Sequence, residues 1–204
     1  SNIGVETSWV VYGDALTQDI DLDTLNASEG FKISSTNSSQ LGSSVSGIGD
    51  VNADGYDDVA IGASSTSGGG ETYIVFGSAN GIDVDVSTNG SFNGITLSAP
   101  TWGGRLGANV SEGGDVNGDG IADFIVGDYD GAYGGADAGG VSYVVFGSEA
   151  LTELTDINLV TMTSSEGFRI YSSIVYDQQG RSVDSIGDYN NDGFDDIIVG
   201  SRLN

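Results

Sequence analysis

Acidic and amide side chains recur three times at one spacing. Loop 1 (50–58), loop 2 (115–123) and loop 3 (188–196) share the pattern Asp-x-Asn-x-Asp-Gly-apolar-x-Asp. Side-chain oxygens therefore stand at positions 1, 3, 5 and 9 of each loop, and position 6 is always Gly. Oxygen ligands at alternate positions around a sharp glycine turn are what a hard cation such as Ca²⁺ requires.

The residue at position 7 is apolar in each loop: Tyr56, Ile121 and Phe194. A calcium loop uses the backbone carbonyl at this position, so the side chain is free to pack. Without a cation, three carboxylates would converge on one point, and like charges that close repel. The pattern therefore predicts about three calcium sites that stabilise the folded chain.

Two better-known calcium loops do not match. An EF-hand carries an acidic residue at position 12 and a helix after it. Here position 12 is Ile61, Val126 and Val199, within short β-branched runs that are typical of strands. The glycine-rich repeat of calcium-binding β-helices does not fit either. Ordinary Asx turns are the plain alternative, but three copies with the same oxygens and the same Gly favour metal binding.

The charge balance restricts the partners. The chain has 204 residues, with 5 Lys+Arg against 30 Asp+Glu, a formal charge of −25. Such a chain is not expected to bind nucleic acid or an anionic membrane surface. No apolar run approaches the ~18 residues of a membrane span, so we expect no membrane insertion. Weak multi-oxygen calcium sites fill at about 10⁻⁴–10⁻³ M, which predicts an extracellular, secreted or cell-surface location.

The repeat extends beyond the loops, which start 65 and then 73 residues apart, at Asp50, Asp115 and Asp188. Each period contains a Gly-rich strand before the loop, an apolar strand after it, a Tyr/Phe-Gly strand and a fourth strand. Examples of the third kind are 73–78 and 143–148, with 8–14 as an earlier copy. Four antiparallel strands per repeat predict an all-β chain of β-propeller blades, with the calcium loop between the first and second strands.

The loops and the Phe-Gly strands resemble FG-GAP repeats, which build the propeller of the integrin α-chain head. The Pro of the family's Gly-Ala-Pro turn is missing, since the first copy reads Gly62-Ala63-Ser64. The resemblance implies one Ca²⁺ per loop and a calcium-binding, integrin-like cell-adhesion role. The metal ligands it implies are Asp50, Asn52, Asp54, Tyr56 and Asp58; Asp115, Asn117, Asp119, Ile121 and Asp123; and Asp188, Asn190, Asp192, Phe194 and Asp196.

The strand order predicts one propeller domain, 1–204, of about three blade equivalents. We expect a half-blade at 1–37, blades at 38–102 and 103–179, and a second half-blade at 180–204. Closed propellers have roughly four to eight blades. The chain is therefore either a partial propeller or part of a ring that another chain completes, and a second copy would join complementary half-blades.

The leading functional prediction is a non-enzymatic binding or structural module whose ligand, protein or carbohydrate, is not encoded in a recognisable motif. The alternatives are the non-catalytic propeller of a secreted hydrolase and a carboxylate-based glycosidase. The chain has no His and no Cys, which excludes a Ser-His-Asp triad, a Cys nucleophile and a His-bound zinc. We interpret Trp9, Trp102 and Tyr171 as packing residues rather than sugar platforms, and 19–23 and 83–85 as edge or linking strands rather than metal sites.

Overall fold

The computed structural model describes residues 4–13, 19–37, 40–65, 68–99, 103–133 and 139–202. Its described residues form fourteen strands, and their helical segments are two 3₁₀ turns, Leu22–Thr24 and Glu149–Glu153. The strands are β1 (Glu6–Val11), β2 (Gly30–Ser35), β3 (Leu41–Gly49), β4 (Asp58–Ala63), β5 (Glu71–Val75), β6 (Val84–Asp85), β7 (Gly94–Ser98), β8 (Asn109–Gly114), β9 (Asp123–Asp128), β10 (Val141–Val145), β11 (Asp156–Asn158), β12 (Gly167–Tyr171), β13 (Ser182–Gly187) and β14 (Asp196–Gly200). The predicted all-β class is confirmed.

The strands are arranged as two complete blades between two half-blades. Blade 1 contains β3, β4, β5 and β7, and blade 2 contains β8, β9, β10 and β12, each with antiparallel neighbours. The N-terminal half-blade is β1 with β2, and the C-terminal half-blade is β13 with β14. This is the predicted architecture of partial propeller blades, with each loop joining the first two strands of its blade.

Short linking strands join neighbouring sheets. β6 pairs in parallel with β2 of the half-blade before it, and β11 pairs in parallel with β7 of blade 1. The interpretation of 83–85 as a linking strand is thus confirmed. The same interpretation is wrong for 19–23, because the Asp21 side chain accepts the N–H of Asp23 and starts a 3₁₀ turn there.

The main core lies between the blades. Its largest cluster joins residues of blade 1, such as Ile74 and Leu97, to residues of blade 2, such as Phe124 and Tyr143, all of them buried. Every residue of β9 and of β10 is buried, because neighbouring sheets cover both faces of the blade. Strands covered on both faces read as continuous apolar runs rather than as alternating ones.

Glycine pairs set the close approach of successive blades. A Cβ on Gly62 would overlap the carbonyl oxygen of Gly107, and a Cβ on Gly127 would overlap that of Gly180. Gly107 and Gly180 also have positive φ, at +79° and +84°. The Gly that ends the apolar run of one blade therefore packs against the turn that begins the next blade.

Candidate metal-binding loops

The three loops have the same backbone shape. Position 6 has φ of +93°, +88° and +94° at Gly55, Gly120 and Gly193. This left-handed conformation explains the invariant Gly, because a Cβ would be strained there. Position 4 is also left-handed and is held by Ala53, Gly118 and Asn191, a constraint that the sequence pattern does not reveal.

In loop 1 the side-chain oxygens are oriented by backbone N–H groups. The two oxygens of Asp50 accept the N–H groups of Asp54 and Gly55, at 3.0 and 2.8 Å. The Asn52 side-chain oxygen accepts the Asp54 N–H at 3.0 Å, and Asp54 accepts the N–H of Tyr56 at 3.0 Å. Charge-assisted bonds of this kind hold the carboxylates in place against their mutual repulsion.

Loops 2 and 3 repeat most of these bonds. Asp115 accepts the N–H groups of Asp119 and Gly120 at 3.0 Å each. Asp188 accepts those of Asp192 and Gly193, at 3.0 and 2.9 Å. In all three loops the position-3 amide donates to the position-5 carboxylate, at 2.9–3.0 Å. The repeat in sequence is therefore a repeat in hydrogen bonding.

The position-9 carboxylate has a different surrounding. Asp58 is buried, and its two oxygens accept the N–H groups of Val51 at 2.9 Å and Gly77 at 2.7 Å. Asp123 is equally buried and accepts those of Val116 at 2.9 Å and Gly147 at 2.8 Å. The Gly of each Phe-Gly pair therefore closes the loop from the third strand. Burial raises the pKa of Asp58 and of Asp123 to about 6.

The grouping of acidic side chains bears on metal binding. Among the residues that the structure describes, no group of three or more acidic side chains is gathered as a metal site. Position 9 faces the backbone, so each loop presents two carboxylates, an amide and a carbonyl as its more open oxygens. Each oxygen of Asp58 accepts one N–H and retains a second lone pair, so these bonds do not prevent it from binding a cation.

The position-7 side chains are less buried than the sequence implies. Tyr56 is 45% and Phe194 46% exposed. They lie against glycines, since a Cβ on Gly77 would come within 2.7 Å of Tyr56 and one on Gly118 within 2.5 Å of a Phe194 ring carbon. Phe194 thus covers loop 2 from loop 3.

One important residue was missed by sequence reasoning. Asp195, at position 8 of loop 3, accepts the N–H of Asp115 at 2.9 Å, and its own N–H donates to the Asp115 carbonyl at 3.0 Å. Loop 3 is therefore bonded to loop 2. The Asp at position 8 of loop 3 was visible in the sequence, but nothing in one repeat indicates a contact with another.

The aromatic residues considered as sugar platforms have ordinary surroundings. Tyr171 packs against Tyr133 with ring centroids 5.1 Å apart, and Trp9 lies on β1 opposite Lys32. Trp102 lies outside the described residues. No helix among the described residues is long and apolar enough to cross a membrane.

Comparison with known proteins gives a family model and several relatives that match parts of the chain. The FG-GAP repeat model matches residues 41–75, from β3 through loop 1 to β5. Integrin alpha-PS3 and alpha-PS5 of Drosophila melanogaster are 36% and 35% identical over 94 residues, 43% of this chain. Integrin alpha-6 of Gallus gallus is 43% identical over 54 residues, 26% of this chain. The chain spans 8%, 9% and 5% of the lengths of these relatives. The family match falls on the strand–loop–strand unit that recurs here, so the chain contains an FG-GAP repeat and is similar to integrin α-chains over part of its length.

Proposed function

We propose that this protein is a calcium-stabilised, extracellular adhesion-type module that binds a protein partner. The observation that carries the calcium proposal is the repeated hydrogen-bond pattern of three loops whose oxygen donors suit a hard cation. The kinship with integrin α-chains supports the extracellular location and the adhesion role.

The proposed ligands follow one scheme in each loop. In loop 1, Asp50, Asn52, Asp54 and the Tyr56 carbonyl hold the cation, and Asp58 adds a carboxylate from the start of β4. A bound Ca²⁺ supplies positive charge where the negatively charged carboxylates of the loop meet. The N–H groups that orient Asp50 and Asp54 fix the directions of these two carboxylates before the cation binds.

Calcium titration tests this proposal. We expect about three ions per chain by calorimetry, and a lower melting temperature in chelator. At free calcium 100 times the dissociation constant each site adds about 2.7 kcal/mol to the free energy of unfolding.

Combining Asp54→Asn, Asp119→Asn and Asp192→Asn should abolish this gain in stability from calcium. A matched variant with Asp23→Asn, Glu112→Gln and Glu153→Gln should keep it, since these acids are exposed and outside the loops. An unchanged melting temperature in chelator would overturn the proposal.

A glycosidase is the less favoured alternative. It would need a carboxylic acid of raised pKa beside a second carboxylate in an open cleft. Asp83 and Asp85 do line a cleft between the N-terminal half-blade and blade 1. However, the side chain and N–H of Ser87 lower the pKa of Asp85, and Asp83 accepts the N–H of Lys32. This surrounding favours a binding role over general acid catalysis.

We further propose that a second copy pairs β1 with β14. Among the described residues, no N–H donates to the second carboxylate oxygen of Asp196. In the complete blades the equivalent oxygen, on Asp58 or Asp123, accepts the N–H of Gly77 or Gly147. Gly13 follows β1 as Gly77 follows β5, so it carries the corresponding N–H. A Cβ on Gly200 would meet only its own hairpin, which leaves room for the Gly42 turn of the other copy.

Light scattering in calcium tests the pairing. We expect a mass of two 20.8 kDa chains, and a single-chain mass for Val199→Pro, which disrupts β14 pairing. Val45→Pro is the control, because it places a proline in β3, which pairs with β4 of the same chain and not with the other copy. A single-chain mass for the unaltered protein at micromolar concentration would overturn the dimer and leave the calcium proposal intact.

A further inference from the structure

Two clefts between adjacent sheets can be compared in this protein. The cleft between blades 1 and 2 is filled by its own side chains. Phe124 of β9 is fully buried, and Leu151 of the 3₁₀ turn and Met162 are nearly so. Leu151, in the linker from Gly147 to β11, and Met162, which follows β11, therefore help to close this cleft.

The cleft between the N-terminal half-blade and blade 1 is not filled in this way. Val59 takes the place in β4 that Phe124 takes in β9, and Val84 takes the place of Ile157. The linker from Gly77 to Asp83 is also three residues shorter than the one from Gly147 to Asp156. A cavity of about 390 Å³ results, within the size range of small-molecule sites.

Aromatic side chains form much of the cavity wall. Five of them line it: Tyr12, Phe31, Tyr56, Phe76 and Phe92. Val10, Phe31, Val59, Val84 and Phe92 also belong to the neighbouring core cluster but remain only partly buried. The apolar wall is therefore open on the cavity side.

The charged residues of the cavity are all acidic. Asp57, Asp83 and Asp85 line it, and none of its described lining residues is Lys or Arg. Lys32 reaches Asp83 at 3.8 Å across an exposed pair, which offsets part of that charge. Asp85 has no such partner cation among the described residues, and the hydroxyl and N–H of Ser87 hold its pKa below the usual range. Aromatic faces combined with uncompensated carboxylates suit a cation that also has apolar surface.

We propose that this cleft binds an organic ammonium group, such as a quaternary amine. The ring faces interact with the diffuse positive charge, and Asp57 and Asp85 supply the counter-charge. The site shares Tyr56 and Asp57 with loop 1, but it uses the Tyr56 ring and the Asp57 carboxylate, which are not among the proposed calcium ligands. The binding experiment is therefore made at a fixed, saturating calcium concentration.

Choline binding tests the proposal by calorimetry and by chemical-shift changes, on the full chain in saturating calcium. We expect saturable binding, about tenfold tighter than that of the neutral isostere 3,3-dimethylbutan-1-ol. Val59→Phe introduces the side chain that closes the other cleft, and it should abolish binding. Asp85→Asn introduces the amide found at the equivalent position of β11, Asn158, and it retains an oxygen that can accept the Ser87 N–H. It should weaken choline binding about three- to tenfold and leave isostere binding unchanged.

Two controls test whether the variants act on the cleft, one for loss of charge and one for loss of folding. Glu153→Gln removes one charge at an exposed site on the other linker and should bind choline like the unaltered protein. Circular dichroism shows whether Val59→Phe is folded, and Asp85→Asn supplies the test if it is not. Equal affinity for choline and its isostere, or unchanged choline binding in both variants, would overturn the proposal. Binding of a lysine-rich peptide without choline binding would also overturn it, in favour of a protein partner.

Discussion

At the scale of single residues, the aspartate at the end of each loop joins two parts of a blade. Asp58 bonds to Val51 within loop 1 and to Gly77 beyond β5. Asp123 does the same for Val116 and Gly147. This bond explains why the acidic loop and the Phe-Gly pair occur together in one repeat, although they are 19 and 24 residues apart.

Two substitutions in loop 2 separate this structural bond from metal binding. In chelator, Asp123→Asn should lower the free energy of unfolding by about 1–3 kcal/mol, because the new amide nitrogen cannot accept the N–H of Val116 or Gly147, whereas both carboxyl oxygens have lone pairs whether ionised or protonated. Asp119→Asn makes the same chemical change at an exposed position and should have little effect in chelator. In calcium both should destabilise the protein. Urea unfolding measures each case, and equal losses in chelator would contradict the structural role of Asp123.

The buried aspartates also predict a pH dependence for the metal-free protein. Their pKa of about 6 when folded exceeds the ordinary value of 3.8, so the folded state binds protons more tightly. This contribution to stability is fully present below pH 3.8 and is lost as pH rises through about 6. Glu166 acts oppositely at lower pH, since Thr163 lowers its pKa.

Urea unfolding in chelator at pH 7 and pH 5 checks this dependence. The unaltered protein should be more stable at pH 5, and the gain should shrink when Asp58 and Asp123 are both replaced by Asn. In saturating calcium the direction should reverse, because protons compete with the cation for carboxylates. A metal-free protein that loses stability from pH 7 to pH 5 would contradict the burial effect.

At the scale of elements, glycine turns and single backbone bonds hold the blades together. The N–H of Ser148, after β10, donates to the Val51 carbonyl in loop 1 at 2.9 Å. The turn at Gly107 lies on Gly62 and beneath the hydroxyl of Thr72. The equivalent turn at Gly180 lies on Gly127 and near the hydroxyl of Ser142. These contacts recur with the repeat, so the spacing between blades is encoded by small residues at fixed places.

Gly107→Ala tests the packing of blade 2 on blade 1. The new Cβ would lie 2.6 Å from the Glu71 carbonyl oxygen, at a φ of +79°. We expect a loss of about 2–4 kcal/mol in the free energy of unfolding, from strain and overlap together. Gly103→Ala is the control for strain alone, since Gly103 has φ of +77° with nothing within 4 Å. It should cost about 1 kcal/mol, and equal losses would contradict close packing at Gly107.

Local patterns predicted the parts of the fold that depend on neighbouring residues. The four strands of each repeat and the glycine of each loop follow from β-branched runs and turn chemistry. The Asp58–Gly77 bond did not, because it depends on the register in which β4 pairs with β5. The Asp195 contact and the open cleft at Val59 depend on how one repeat meets the next. The parallel pairing of β11 with β7 has the same origin, since it crosses between blades.

At the scale of the whole molecule, negative charge opposes the packing that the blades achieve. The chain carries a formal charge of −25, and the loops concentrate carboxylates at the same end of successive blades. Loop 3 is bonded to loop 2 through Asp195, so these acidic groups are close neighbours. Mutual repulsion among them should be strong without metal and weaker once cations neutralise the loops.

Salt dependence therefore distinguishes repulsion in the loops from repulsion over the general surface. Between about 0.1 M and 1 M sodium chloride the Debye length falls from about 10 Å to about 3 Å. In chelator the melting temperature should rise over this range, and in saturating calcium the rise should be smaller. The variant with Asn at 54, 119 and 192 should show a reduced rise in chelator. The variant altered at 23, 112 and 153 has lost the same charge outside the loops, and it should retain most of the rise. If the two variants respond alike, the repulsion is a property of the whole surface and the loops have no special share in it.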